Sequence, residues 1–246
     1  NFLVVFVLLF FLIGTANALD ATLTDLEAYF PFDETSGTLV EDVHNNYEGT
    51  TMNNVSTGAT GLIGYAVQQP DSDNTNDYTN IEKILANDTT YTINFWFKST
   101  SNTGNIDPGI FYWNNGISDR IYSFIRNNIV YYRINNGPFV FTGYSVNNTD
   151  WHMFTIRADG SNLKIFIDGS QVGSVSNIDA LDANLFLGVG VDHTFDDGLF
   201  DELSYWNVSI SNGDIDYLYN SGSGLAYPFV DVAFDYTIDK DEEQVI

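Results

Sequence analysis

The sequence contains no cysteine and only 8 lysine and arginine residues in 246 positions. Without thiols there is no disulfide framework, no thiolate zinc site and no cysteine nucleophile, so a metal would have to be bound through oxygen or histidine. Against the 8 basic residues stand 33 acidic ones, which gives a formal net charge of −25. A chain this acidic offers little basic surface for phosphate groups, which argues against nucleic acid as a partner.

Hydrophobic residues, by contrast, are plentiful. They make up 44% of the chain, and aromatic residues alone make up 15%. This amount of apolar surface can fill one large core, and it excludes a chain that stays disordered for lack of hydrophobic residues. The length fits a single domain of sandwich size.

The first 18 residues have the pattern of a signal peptide. Every side chain from 2 to 13 is apolar, and the small-x-small sequence Ala16-Asn17-Ala18 follows, which is typical of signal peptidase cleavage sites. The apolar run is shorter than the roughly 20 residues that span a bilayer. We therefore predict a signal peptide at 1–18, a secreted or cell-surface location, and no membrane insertion after cleavage.

Most of the remaining chain alternates in the manner of β-strands. In the segment 91–98, Tyr91, Ile93, Phe95 and Phe97 occupy every second position, which is typical of a strand with one buried face. Turns rich in glycine, asparagine and aspartate, such as Asp168-Gly169, separate the strands. Further strands are predicted at 28–32, 121–125, 129–134, 139–141, 152–156, 163–167, 185–188 and 199–206.

One short helix is predicted near the C-terminus. Ser211 is a typical N-cap with Asp214 three residues later, and the helix should end before Gly222. This pattern predicts an all-β fold, a two-sheet antiparallel jelly-roll sandwich with one short C-terminal helix. We place the domain at 19–226 and a tail at 227–246, in which an alternating segment could pair with the edge of a second molecule.

Several landmarks, taken in order, are similar to a known family. Separately each is short, but together they cover the chain from Leu26 to about Gly224. They are Ala28–Gly37, Gly61–Val67, Tyr91–Lys98, Trp151-His152, Ile167–Gly169 and Gly198–Asn207. The chain thus resembles the laminin G-like, concanavalin A-like jelly-roll superfamily of extracellular modules. It departs from the family in a long polar segment at 71–80 and in the tail after Tyr227, which has no counterpart.

The resemblance implies a structural Ca²⁺ site. In the family, an aspartate of the early turn and an aspartate of the closing strand often share one calcium ion, and the matching residues are Asp42 and Asp201. Asn45 would be a carbonyl donor and Glu202 a neighbouring carboxylate. Oxygen ligands of this kind suit calcium. The alternative is that Asp42 caps a turn and Asp201 accepts hydrogen bonds from backbone amides.

The residues give little support to catalysis. Glycosidases on related jelly rolls need two carboxylates facing one bond, and the adjacent Asp201 and Glu202 should point to opposite faces of a strand. The three histidines, His44, His152 and His193, show no spacing typical of a metal site or of a base paired with a nucleophile. We therefore predict that the domain is not an enzyme.

A loop rich in aromatic and amide residues is the predicted ligand site. An exposed ring beside amides offers a sugar both a stacking surface and hydrogen bonds. Tyr131 and Arg133 should share a strand face opposite Val130 and Tyr132. The predicted ligand-binding residues are Trp113, Tyr112, Asn114, Asn115, Tyr131 and Arg133. The alternative is that these rings only cover a sheet.

Together these features predict a secreted or cell-surface binding module without catalytic activity that recognises a glycan or an extracellular protein ligand. The alternative is a structural or assembly subunit of an appendage or larger surface protein, which would self-associate through the tail 227–246. Asn-x-Ser/Thr sequons, which are glycosylation acceptors on exported chains, occur at Asn54, Asn87, Asn147 and Asn207.

Overall fold

The computed structural model describes most of the chain after the predicted signal peptide. The described residues are 19, 21, 23–70, 77–99, 108–114, 120–135, 137–146, 150–176, 181–189 and 198–229. The predicted signal peptide lies outside them. None of the helices formed by these residues is long and apolar enough to cross a membrane.

The described residues form β-strands and one α-helix, which confirms the predicted fold class. The strands are β1 (Leu26–Phe30), β2 (Leu39–Glu41), β3 (Glu48–Thr51), β4 (Ser56–Thr60), β5 (Tyr65–Gln68), β6 (Thr79–Asp88), β7 (Thr90–Lys98), β8 (Gly109–Asn114), β9 (Arg120–Arg126), β10 (Ile129–Ile134), β11 (Val140–Ser145), β12 (His152–Asp159), β13 (Asn162–Ile167), β14 (Ser170–Ser176), β15 (Leu181–Leu187) and β16 (Leu199–Trp206). The helix is α1 (Asn212–Tyr219), and short 3-10 turns occupy Leu23–Asp25 and Asn220–Gly222.

The strands form two eight-stranded antiparallel sheets. Sheet A has the order β14-β13-β12-β7-β16-β5-β4, with β1 also paired to β16. Sheet B has the order β11-β10-β9-β8-β15-β6-β3-β2. Strands distant in sequence are therefore neighbours in space, as in a jelly roll.

The main hydrophobic core lies between the two sheets. Strand β7 contributes Tyr91, Ile93, Phe95 and Phe97, all with no exposed surface. The ring of Phe95 stacks on Phe154 of β12 at 5.6 Å between centroids. Alternation along the strand thus places these residues where the sequence pattern predicted them.

The outer face of sheet A is also buried, which corrects the prediction that β7 has one solvated face. Trp96 lies on that outer face and is 2% exposed, because the ring of Tyr219 stacks on it at 5.8 Å. Met153, Trp206 and Leu218 belong to the same second cluster. Helix α1 and the segment after it therefore cover this outer face of sheet A.

Helix α1 begins as predicted. The Ser211 hydroxyl accepts a hydrogen bond from the Asp214 backbone N–H at 3.0 Å, and the Asp214 carboxylate accepts one from the Ser211 N–H at 2.9 Å. This reciprocal pair is a capping box. Asn220, in the left-handed conformation, ends the helix.

The residues that follow the predicted domain boundary at 226 also pack on sheet A. Phe229 is 5% exposed and contacts Tyr29 and Trp206 on the outer face of sheet A. The Tyr227 backbone N–H donates to the Tyr29 hydroxyl at 3.2 Å. Residues 227–229 therefore belong to the packed domain. The rest of the predicted tail lies outside the described residues.

Candidate functional site

The outer face of sheet B carries a continuous band of aromatic side chains. Strand alternation produces it: on β10, Val130 and Tyr132 face the core, and Tyr131 and Arg133 face outwards, as predicted. The same alternation on neighbouring strands adds further rings. We call this set the aromatic strip; its members are Tyr78, Tyr112, Tyr122, Phe124, Tyr131, Phe139, Phe141 and Phe186.

The rings of the aromatic strip touch one another across the sheet. Each is linked to a neighbour at 5.3 to 6.3 Å between centroids. Phe124 and Tyr131 stack almost in parallel at 5.3 Å, and Phe141 meets Tyr131 at 5.5 Å. Phe139 and Phe141 remain 49% and 58% exposed. Such contacts hold the rings in fixed orientations and leave apolar ring faces open to solvent at one end.

Two arginines lie over the aromatic strip. The Arg126 guanidinium carbon is 5.3 Å from the centroid of Phe124 and 5.7 Å from that of Tyr131. The Arg133 guanidinium carbon is 5.3 Å from the centroid of Phe139. Within the described part of the chain, Nε of Arg133 is buried and has no hydrogen-bond partner. These contacts are cation–π interactions, and they place hydrogen-bond donors beside the rings.

Trp113, the first predicted ligand residue, is not at this surface. It has no exposed area and packs edge-on against Tyr91 at 5.9 Å. The prediction that it is an exposed stacking platform is wrong, because residues 109–114 form strand β8 and not a loop. Alternation along β8 sends Trp113 and Phe111 into the core and Tyr112 outwards.

The other predicted ligand residues are only partly described. Tyr112, Tyr131 and Arg133 lie on one face, connected through Tyr122 and Phe124. Asn114 ends β8 and pairs with Arg120 and Asn184, and its side chain is outside the described set. Asn115 also lies outside the described residues.

Of the eight rings of the aromatic strip, only Tyr112 and Tyr131 were predicted from the sequence as ligand-binding residues; the other six were not. Phe124 lies on a predicted strand, where its alternation with Ile121 and Ile125 would have placed it outwards. Phe139 and Phe141 are the first and last residues of the strand predicted at 139–141. Strand alternation in the sequence therefore indicated outward-facing rings, but grouping these rings into one surface required knowing which strands are neighbours.

The predicted calcium ligand Asp42 is already saturated by the backbone. One carboxylate oxygen accepts from the N–H groups of Tyr29 and His44 at 2.8 and 3.1 Å, and the other from those of Asn46 and Tyr47 at 2.9 and 3.3 Å. The predicted carbonyl donor, Asn45, is exposed in the left-handed conformation with φ of 57°. Asp42 therefore caps the turn, which was the alternative interpretation.

Asp201 also binds backbone amides. Its Oδ2 accepts from the N–H groups of Leu62 and Ile63 at 2.8 and 3.1 Å, while Oδ1 is buried without a hydrogen-bond partner in the described structure. Burial raises the pKa of Asp201 to about 8, and burial likewise raises the pKa of Glu202 to about 8. Both acids therefore favour the protonated form inside the fold.

The predicted shared calcium site is not assembled. Across the described ranges, no three or more histidine, aspartate or glutamate residues come close enough to hold a metal ion. The described structure therefore does not bring Asp42, Asp201 and Glu202 together as one set of carboxylate ligands. Calcium binding as such stays a prediction.

A comparison with known protein families identifies the family of this chain. A laminin G-type family model, described as the concanavalin A-like lectin/glucanases superfamily, matches residues 73–216, which is more than half of the chain. The chain belongs to this superfamily. The resemblance seen in the sequence is thereby confirmed for this concanavalin A-like domain. No curated protein matches the sequence significantly.

Solved structures share the concanavalin A-like fold at low sequence identity. Domain 4 of AbnA, an extracellular arabinanase from Geobacillus stearothermophilus determined with arabinotriose, has 20% identity and a TM-score of 0.62, over 78% of this chain and 97% of that domain. The binding domain of Paraclostridial Mosquitocidal Protein 1 has 15% identity and a TM-score of 0.63, over 80% of this chain and 52% of that one. The botulinum neurotoxin serotype D binding domain has 16% identity and a TM-score of 0.62, again over 80% of this chain and 52% of that one. This chain spans about half the length of the toxin domains.

Proposed function

We propose that this concanavalin A-like domain is an extracellular, non-catalytic module that binds carbohydrate through the aromatic strip of sheet B. The observation that carries the proposal is the outward-facing band of contacting rings with two arginines over it. The signal peptide predicted at 1–18 supports the extracellular part of the proposal.

The chemistry of the strip suits a sugar chain. The C–H faces of a pyranose or furanose ring pack on aromatic faces, and the surrounding hydroxyls need hydrogen-bond partners. Phe139 and Phe141 supply exposed ring surface, and Tyr131 and Arg133 supply polar groups beside it. Because neighbouring rings already hold one another in place, ordering the site on binding should cost little side-chain entropy.

The comparisons support the same interpretation at the level of the superfamily. Its description includes lectins, and the arabinanase domain was determined with arabinotriose. The description also includes glucanases. We favour binding without turnover, because Asp201 and Glu202, the adjacent acids of the closing strand, are buried on sheet A and remote from the outer face of sheet B.

A glycan array with residues 19–246 tests the proposal directly. We expect selective binding that Tyr131→Ala and Phe141→Ala each weaken by about tenfold or more, since loss of one well-packed aromatic contact costs on the order of 1–2 kcal/mol. Tyr65→Ala is the matched control, because Tyr65 is 44% exposed but lies on sheet A. Melting curves check that all three variants are folded.

Two outcomes would contradict the proposal. One is an array without any glycan bound above background. The other is binding that the two strip variants leave unchanged relative to the wild type and the Tyr65 control.

A further inference from the structure

A second candidate site lies away from the aromatic strip, beside strand β12 of sheet A. A pocket of about 490 Å³ is lined by Leu62, Asp150, Trp151, His152, Asp168, Tyr219 and Gly222. Its volume is within the range of pockets that hold small ligands.

His152 is held in one orientation at this pocket. Its Nδ1 lies 2.7 Å from Oδ2 of Asp168. Asp168 in turn accepts hydrogen bonds from the Met153 backbone N–H at 2.8 Å and from the Tyr144 hydroxyl at 2.7 Å. A carboxylate that already accepts two other donors is an acceptor for the imidazole as well, so the neutral ring carries its proton on Nδ1.

The other ring nitrogen is left without a partner. His152 is 8% exposed, and its Nε2 is buried and makes no hydrogen bond in the described structure. In the neutral ring, with the proton on Nδ1, Nε2 is an acceptor. A buried polar atom without a partner costs free energy. A ligand that donates a hydrogen bond to Nε2 would remove this cost and so bind more tightly.

The remaining lining groups select for positive charge. Asp150 and Asp168 are carboxylates, and Trp151 and Tyr219 add ring surface. Carboxylates and Nε2 are hydrogen-bond acceptors, and aromatic faces attract cations. The net charge of −25 further favours a cation over an anion.

We propose that this pocket binds a primary ammonium group carried on a compact frame, such as an amino sugar or a lysine side chain. The ammonium donates a hydrogen bond to Nε2 of His152, with the Asp150 carboxylate and the Trp151 ring as further contacts. This site is separate from the aromatic strip, so the proposal does not depend on the proposed function.

NMR titration of the histidine ring signals of residues 19–246 provides the test, because the sequence contains only three histidines. The probes are glucosamine, Nα-acetyl-lysine amide, and the matched neutral sugars N-acetylglucosamine and glucose. We expect an ammonium probe to shift the His152 Nε2 signal and to bind about tenfold more tightly than either neutral sugar. Binding of only one of the ammonium probes would support the proposal and identify the source of the ammonium group.

Variants separate the pocket from general attraction to an acidic protein. Asp150→Asn keeps the shape and is expected to weaken binding of the ammonium probe about threefold, as for a partly exposed ion pair. His152→Phe removes the acceptor and should weaken it about tenfold. Glu82→Gln, an exposed acid on β6 of sheet B, should have no effect. Equal affinity for N-acetylglucosamine and glucosamine, no shift at His152 with either ammonium probe, or an unchanged affinity in Asp150→Asn would overturn the proposal.

Discussion

Two buried carboxyl groups of the closing strand make the stability of this domain depend on pH. Asp201 has no exposed surface and Glu202 is 4% exposed. Burial raises the pKa of each to about 8 from ordinary values of 3.8 and 4.5. Between pH 4 and pH 8 the folded state therefore holds protons that the unfolded state has released. By linkage, the contribution of these two carboxyls to the free energy of unfolding is fully present below pH 4 and falls as the pH rises to 8.

The magnitude follows from the size of the shifts. One pKa unit corresponds to about 1.4 kcal/mol, so a shift of roughly 4 units amounts to on the order of 5 kcal/mol for each carboxyl. Local relaxation and water entry reduce the free-energy cost of ionising these buried groups. We therefore expect the free energy of unfolding to fall by several kcal/mol in total between pH 5 and pH 9. For a domain of this size that lowers the melting temperature by about 10 °C.

Calorimetry or circular dichroism melting at pH 5, 7 and 9 measures this effect. Asp201→Asn mimics the protonated carboxyl, and its amide oxygen can still accept from the Leu62 and Ile63 N–H groups. We expect this variant to melt above the wild type at pH 9 and to have about half its pH dependence. Asp216→Asn, an exposed position on α1, is the control for net charge. A wild-type melting temperature that stays constant or rises from pH 5 to pH 9 would refute the reasoning.

Three further predictions concern the core, the helix and the metal. Trp113→Ala should destabilise the domain by about 3–5 kcal/mol and leave glycan affinity at the aromatic strip unchanged once folding is confirmed; selective loss of affinity in a folded variant would place Trp113 back in the site. Ser211→Ala should cost about 1 kcal/mol in the free energy of unfolding by denaturant, because it removes the N-cap of α1, and an unchanged midpoint would contradict that role. Any rise in melting temperature with calcium relative to chelator should persist in Asp42→Asn, because that carboxylate is already satisfied by backbone amides; loss of the rise in this variant alone would restore Asp42 as a ligand.

The sequence alone predicted those features that depend on local periodicity. Alternation at β7 and β10 identified the strands and the inward-facing residues, and Ser211 with Asp214 identified the start of α1. A period of two or a capping pair is a property of neighbouring residues. It can be interpreted without knowing what lies across the sheet, and the family resemblance rested on the same local segments.

Tertiary structure decided everything that depends on which surfaces meet. Trp113 seemed exposed because the sequence does not fix whether β8 ends before or after it, and a shift of one position reverses the two faces of a strand. The aromatic strip joins residues from β8, β9, β10, β11 and β15, with Tyr78 just before β6 and Phe139 just before β11. The adjacency of these strands follows only from the strand order of sheet B. The environment of His152 and Asp168 depends on Tyr144 from the opposite sheet. Composition and periodicity determine which side chains each strand can bury. Long-range strand pairing determines which side chains lie next to one another, and a binding site consists of side chains from several strands that lie together.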